Sequence, residues 1–132
     1  MKTKYLLTNV EISGQRSNLL IEDDTIAELG PEVSSQGATE LDCTGSVALP
    51  GLVDLHTHLR EPGKEDAETV LSGSKAGARG GYVALSAMAN TSPVADTAGV
   101  VEQVFRLGQD AGLVDVFPIG AVTQGIQGEH LA

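Results

Sequence analysis

From residue 52 onward the sequence alternates short apolar runs with stretches of helical periodicity, and this alternation constrains the fold more than any other feature. Strands that alternate with helices build parallel sheets, because a parallel return needs a long crossover and a helix supplies it. The first run, LVDLHTHLREPG over 52–63, predicts an extended strand. Side chains on a strand alternate between faces, so Asp54, His56, His58 and Arg60 fall on one side and Val53, Leu55, Thr57 and Leu59 on the other. The bland reading is an amphipathic surface strand. Two features favour a site instead. Parallel strands are covered on both faces, which would turn these polar groups into the middle of the fold. Imidazoles at i and i+2 also lie close enough together to ligate one metal ion such as zinc.

The rest of the alternation follows in order. Pro62 and Gly63 make a turn, and Glu65, Asp66 and Glu68 are expected to favour a helix N-terminus through its free N–H groups. Ala67, Val70, Leu71, Ser74 and Ala78 then recur with helical spacing, which predicts about four turns with a small-residue buried face. Gly80 and Gly81 end that helix, and 82–88 reads as a second strand with Asn90 at its C-terminal end. Pro93 and Asp96 predict a turn and an N-cap for a second helix over about 97–110, which buries Val101, Val104, Phe105 and Leu107 or Ala111 and is capped by Gly112. Residues 113–122 predict a third strand, in which Pro118 is a local conflict read as a bulge, and 125–132 a turn entering a third helix.

Before residue 52 the pattern is different. Short alternating runs at 5–12, 18–21, 25–29, 40–42 and 46–49, separated by Gly14, Asp23-Asp24, Gly30-Pro31 and Thr44-Gly45, predict a small β-layer. Residues 1–51 are therefore expected to form one unit and 52–132 another. With 132 residues and about 250 needed for an eight-fold βα barrel, two to three βα units are the most this chain holds. The fold class is α/β. Reactive groups in such folds gather at the C-terminal ends of the strands, where His56, His58, Arg60 and Asn90 all fall.

Composition narrows the partners. A formal charge of −10 with no Lys/Arg patch disfavours nucleic acid and anionic membrane surfaces, which leaves a small-molecule ligand. The apolar run at 5–7 is too short for a signal segment, and no run of about 18 apolar residues predicts a membrane span. Cys43 stands alone, so no intrachain disulfide forms and a cytoplasmic location is expected, with the thiol read as a small buried hydrophobe.

Two histidines are half of a tetrahedral site, so further ligands are required. His130 reads as a solvated surface residue, and Glu61, Glu65, Asp66 and Glu68 have the simpler task of starting a helix. Asp54, on the histidine face, could orient an imidazole. Arg60 beside a metal pair calls for a compensating anion, and a substrate carboxylate held in a bidentate fork is the natural one; the plain alternative is a salt bridge to Glu61 or Glu65. Asn90 could add a second contact to that carboxylate, or serve only as a turn residue ahead of Pro93.

The segments VDLHTHLREPG, EDAETVLSGSKAGARGGY, AMANTSPVADT and VDVFPIGAVTQGIQGEHLA together resemble the N-terminal part of a dihydroorotase of the amidohydrolase superfamily. Among relatives with the same histidines, hydantoinases lack the arginine and allantoinases typically carry Asn where Arg60 stands. The resemblance implies that residues 1–51 are part of a composite β-sandwich and 52–132 the start of a TIM-type barrel. It implies one or two zinc ions per complete site, His56 and His58 as metal ligands, and His58, Arg60 and Asn90 around the substrate carboxylate. The reaction it implies is the reversible cyclisation of N-carbamoyl-L-aspartate to dihydroorotate in pyrimidine biosynthesis, in which a metal-activated hydroxide attacks the ring amide. A bridging carboxylate or carboxylated lysine, two further histidines and a proton-shuttling aspartate are absent. The chain is accordingly expected to be an N-terminal fragment with no catalytic residue of its own and to be inactive alone; oligomers or pathway partners belong to a full-length parent. The alternatives are a non-catalytic interaction protein of the same ancestry, or another cyclic amidohydrolase.

Overall fold

The computed structural model describes residues 3–34 and 37–132, and the chain divides into two compact units, Met1–Pro50 and Gly51–Ala132. In the first unit β1 (Lys4–Ile12), β2 (Gln15–Glu22), β3 (Thr25–Gly30) and β4 (Thr39–Asp42) form a sheet in the order β3-β2-β1-β4. The first three strands are antiparallel neighbours joined by tight turns, and β4 returns parallel to β1. Ser13, Gly14 and Asp23 take positive φ in those turns, a conformation that glycine and short polar residues tolerate best. Leu6, Val10, Leu19 and Leu20 are buried. The run at 46–49 contributes only an isolated bridge between Val47 and Glu11 rather than a fifth strand, because Gly45 at positive φ and Pro50 bracket it too closely for a ladder.

The second unit runs β5 (Leu52–Thr57), α1 (Val70–Arg79), β6 (Tyr82–Ala87), α2 (Ala98–Ala111) and β7 (Asp115–Pro118). Its strands form a parallel sheet in the order β5-β6-β7, the arrangement expected of consecutive βα units. Both helices lie on one face. Leu85, Ala87 and Val116 from that face join Leu59, Val70, Val104 and Val114 in a single core. Val70 and Val104 are almost fully buried, and each such burial contributes about 1.5–3 kcal/mol. No helix among the described residues is long and apolar enough to cross a membrane.

α1 has 10 residues rather than about four turns, and its buried face matches the expected one only at Val70 and Ser74. Val70, Gly73, Ser74 and Gly77 are buried, whereas Leu71 and Ala78 are exposed and Ala67 precedes the helix. The helical spacing is right, but the side that comes closest to the sheet is the one with the least side chain. A Cβ on Gly77 would meet Leu85 Cδ1 at 3.2 Å, and one on Gly108 of α2 would come closer still, overlapping Val116. The expected acidic first turn is also absent: Thr69 caps α1, accepting the Ser72 N–H at 3.0 Å, and the acids lie in the loop before it.

Three further expectations change. Asp96 does not cap α2; Thr97 occupies that position, and the Asp96 carboxylate accepts the Gly125 N–H at 2.8 Å. The third strand spans only Asp115–Pro118, and Pro118 is its last paired residue rather than a bulge. Ile119 N–H donates to the Ala87 carbonyl at 2.8 Å, so by alternation the Pro118 nitrogen faces the unpaired edge, where no donor is missed. In place of a third helix there is one 3-10 turn, Gln124–Ile126, followed by a bridge from Thr123 to Leu131. Gly125, Ile126 and Gly128 have φ of 59°, 60° and 79°, which no right-handed helix accommodates.

Candidate functional site

The candidate residues collect where the parallel strands end. β5 carries His56, and His58 follows just past its last residue, Thr57. Register shifts in β5 break the strict alternation expected from the sequence. Asp54 and Thr57 pair with Leu85 and Ala87 of the helix-covered face, so Asp54 does not share the histidine face. Val53, paired with Ala84, and the two neighbours of Thr57 are sent to the opposite face. The two imidazoles meet edge to face with centroids 5.1 Å apart. Asn90, in the loop after β6, reaches across so that its Oδ1 lies 2.9 Å from His58 Nδ1. A carboxamide oxygen only accepts, so in this pairing Nδ1 is the donor, and the neutral tautomer that fits it has its lone pair on Nε2.

Arg60 is placed differently from the strand expectation. β5 has already ended, and Glu61 N–H bonds the Leu59 carbonyl at 2.8 Å across Arg60, whose φ is 64°. That is a three-residue turn with a left-handed centre, the rarer and strained form. The Arg60 guanidinium has no hydrogen-bond or ion-pair partner among the described residues. The salt bridges to Glu61 or Glu65 do not form, because those acids are engaged elsewhere. Glu61 Oε2 accepts the Val70 N–H at 2.7 Å, Glu65 Oε1 accepts the Gly63 N–H at 2.7 Å, and Glu68 accepts from the Ser72 hydroxyl. The Gly63 bond holds the Glu65 carboxyl below the usual carboxylate range.

Asp54 does not orient an imidazole. Its Oδ1 accepts the backbone N–H of His56 at 2.9 Å, and that bond lowers its pKa. His130 is exposed, as expected, and Cys43 is a half-buried free thiol. Among the described residues no group of three or more His, Cys, Asp or Glu side chains is arranged to hold a metal ion. The imidazole pair, with a free Nε2 on His58, suits a two-ligand share of a metal centre.

Main-chain bonds tie the loops around these groups. Ser92 N–H donates to the Pro62 carbonyl at 2.9 Å, and Gly63, at φ 100°, packs so closely on the Ser92 backbone that a Cβ would overlap it. Ala121 N–H donates to the Ala95 carbonyl at 2.8 Å, joining the loop after β7 to that after β6. Glu61 and Ser92 have no signature that local sequence reading could detect, since each acts on a residue in a different segment.

The sequence model of the family described as Dihydro-orotase-like matches residues 45–132. The chain is 58% identical over 131 residues to a dihydroorotase of Streptomyces coelicolor, covering 98% of this chain and 31% of that protein. It is 61% identical over 129 residues to a dihydroorotase of Leifsonia xyli subsp. xyli, covering 97% of this chain and 30% of the relative. The chain therefore spans under a third of the length of these relatives. Among solved structures, the L-hydantoinase (dihydropyrimidinase) of Arthrobacter aurescens superposes with a TM-score of 0.75 at 21% identity, covering 93% of this chain and 28% of that one. A dihydroorotase crystal structure gives a TM-score of 0.63 at 20% identity, with 93% and 32% covered. These structural likenesses speak to a shared fold: a small β-sheet and a parallel βα segment that recur as part of larger chains. With two thirds of its residues matched by the family's sequence model, the chain belongs to the Dihydro-orotase-like family.

Proposed function

We propose that the protein carrying this chain is a dihydroorotase that interconverts N-carbamoyl-L-aspartate with dihydroorotate and water, in the cytoplasm, as a step of pyrimidine biosynthesis. In the hydrolytic direction water adds to the ring amide carbonyl and the C–N bond breaks; cyclisation is the reverse. The observation that carries the reading is the Arg60 guanidinium, two residues after the imidazole pair and without a hydrogen-bond or ion-pair partner among the described residues. A cationic fork left without an internal acid is suited to a substrate carboxylate.

His56 and His58 would hold zinc, His58 through the Nε2 that its bond to Asn90 leaves free. When bound, zinc supplies a Lewis acid for the amide carbonyl and lowers the pKa of the attacking water. Arg60 grips the substrate carboxylate, and the Asn90 side-chain N–H group, still free while Oδ1 faces His58, donates a second bond to it. His58 lines the same site. These residues bind and orient; we assign the remaining metal ligands and the proton-shuttling aspartate to residues outside this chain.

The test is Arg60→Ala in the zinc-loaded full-length protein. Hydrogen bonds to charged groups contribute about 1.5–3 kcal/mol, so KM for N-carbamoyl-aspartate is expected to rise about 10- to 150-fold. Unchanged affinity with the guanidinium removed rules the carboxylate grip out.

A further inference from the structure

Glu61 follows directly on the strained turn at Arg60, yet its carboxylate points to a different element. Oε2 accepts the Val70 N–H at 2.7 Å, and Val70 is the first residue of α1. That N–H is one of the donors a helix start leaves without an internal partner, and an anion there is favoured by the helix dipole. Thr69 Oγ1 takes the Ser72 N–H, so each of the two side chains satisfies one exposed donor at the start of α1. The loop is clamped again one residue later, where the Pro62 carbonyl accepts the Ser92 N–H at 2.9 Å. Leu59, on the other side of Arg60, is buried in the core.

Arg60 is thus fixed from both sides. Left-handed backbone at a non-glycine residue persists only where its surroundings over-determine it. The Glu61 bond has a second effect. A glutamate adjacent to an arginine is the nearest available counter-ion, and it would compete with a substrate carboxylate for the same fork. Held on α1, it does not.

We propose that Glu61 is a positioning and specificity residue: bonded to the start of α1, its carboxylate holds the Arg60 turn in place and keeps itself off the guanidinium, leaving the fork open to an anionic substrate. The substrate part of this proposal rests on the dihydroorotase reading above; the positioning part does not. It deepens that reading by naming a residue that touches neither substrate nor metal and acts through Arg60.

The experiment compares Glu61→Ala and Glu61→Gln with Arg60→Ala in the zinc-loaded full-length protein. Gln keeps an acceptor oxygen for Val70 and Ala does not. Glu61→Ala is expected to raise KM for N-carbamoyl-aspartate about tenfold, the scale of one charge-assisted hydrogen bond, with kcat changed far less. Glu61→Gln is expected to restore most of the affinity. Hydrogen exchange over the peptide 58–70 supplies a readout independent of turnover: it is expected to accelerate in the Ala variant and not in the Gln variant. Wild-type KM in Glu61→Ala, equal impairment of Ala and Gln, or unchanged exchange in the Ala variant each overturns the proposal. If Arg60→Ala itself leaves KM unchanged, the carboxylate grip fails, while the exchange rates still decide whether Glu61 anchors the turn.

Discussion

Glu65 shows how a single side chain in this loop responds to pH. Its carboxylate accepts the Gly63 N–H, which lowers its pKa from the ordinary value of 4.5. A depressed carboxylate contributes stability that is fully present above the unfolded pKa and lost as pH falls through the folded one. Asp42, bonded to the Thr44 hydroxyl, and Asp54, bonded to the His56 N–H, are depressed from 3.8 and have the same sign. The melting temperature is therefore expected to hold from neutral pH down to about 4.5 and to fall below it. Glu65→Gln should lower stability at neutral pH and flatten the acid limb, measured by thermal melts across that range; a variant with an unaltered acid limb contradicts the assignment. Sequence reading gave Glu65 to a helix start; the folded loop turns it onto the Gly63 N–H instead.

At the scale of elements, the helices sit where glycine lets them approach the sheet. Gly108 of α2 lies against Val116 of β7, and a Cβ there would overlap the valine side chain. Overpacking a contact of this kind costs about 1–3 kcal/mol, so Gly108→Ala is expected to destabilise by that amount despite its better helix propensity. Chemical denaturation checks it, and a stabilised variant would show that the helix shifts freely instead. The same contact explains which parts of the helices were legible. Periodicity revealed both helices and the Gly112 cap of α2, whose φ of 60° the structure confirms. It found Val70 and Ser74 on the buried face of α1 but misassigned the rest, because apolarity marked Leu71 while proximity selected Gly73 and Gly77. The segment after 124 was misread because left-handed residues there cut short a pattern that looked helical.

Over the whole molecule, the parallel sheet is covered by helices on one face. On the other, Val53, Leu55 and Phe117 are 55%, 74% and 52% exposed, and β5 and β7 leave unpaired edges among the described residues. An apolar face next to open edges favours association. The 132-residue chain by itself is expected to self-associate with rising concentration in sedimentation velocity, and Leu55→Lys is expected to weaken that association. A monomer at every concentration would show that the face is shielded in solution.

The sequence by itself determined the order of strands and helices, the parallel character of the second unit and the presence of His56, His58, Arg60 and Asn90 at strand ends, because periodicity and turn residues are local properties of the chain. Tertiary structure alone decided that Asn90 fixes the proton on His58, that Arg60 stands at the centre of a left-handed turn, and that Glu61 is drawn away from it. Each of these depends on a donor or acceptor brought in from another segment, and the partner of a hydrogen bond across 9 or 32 residues is chosen by packing rather than by the neighbours along the chain.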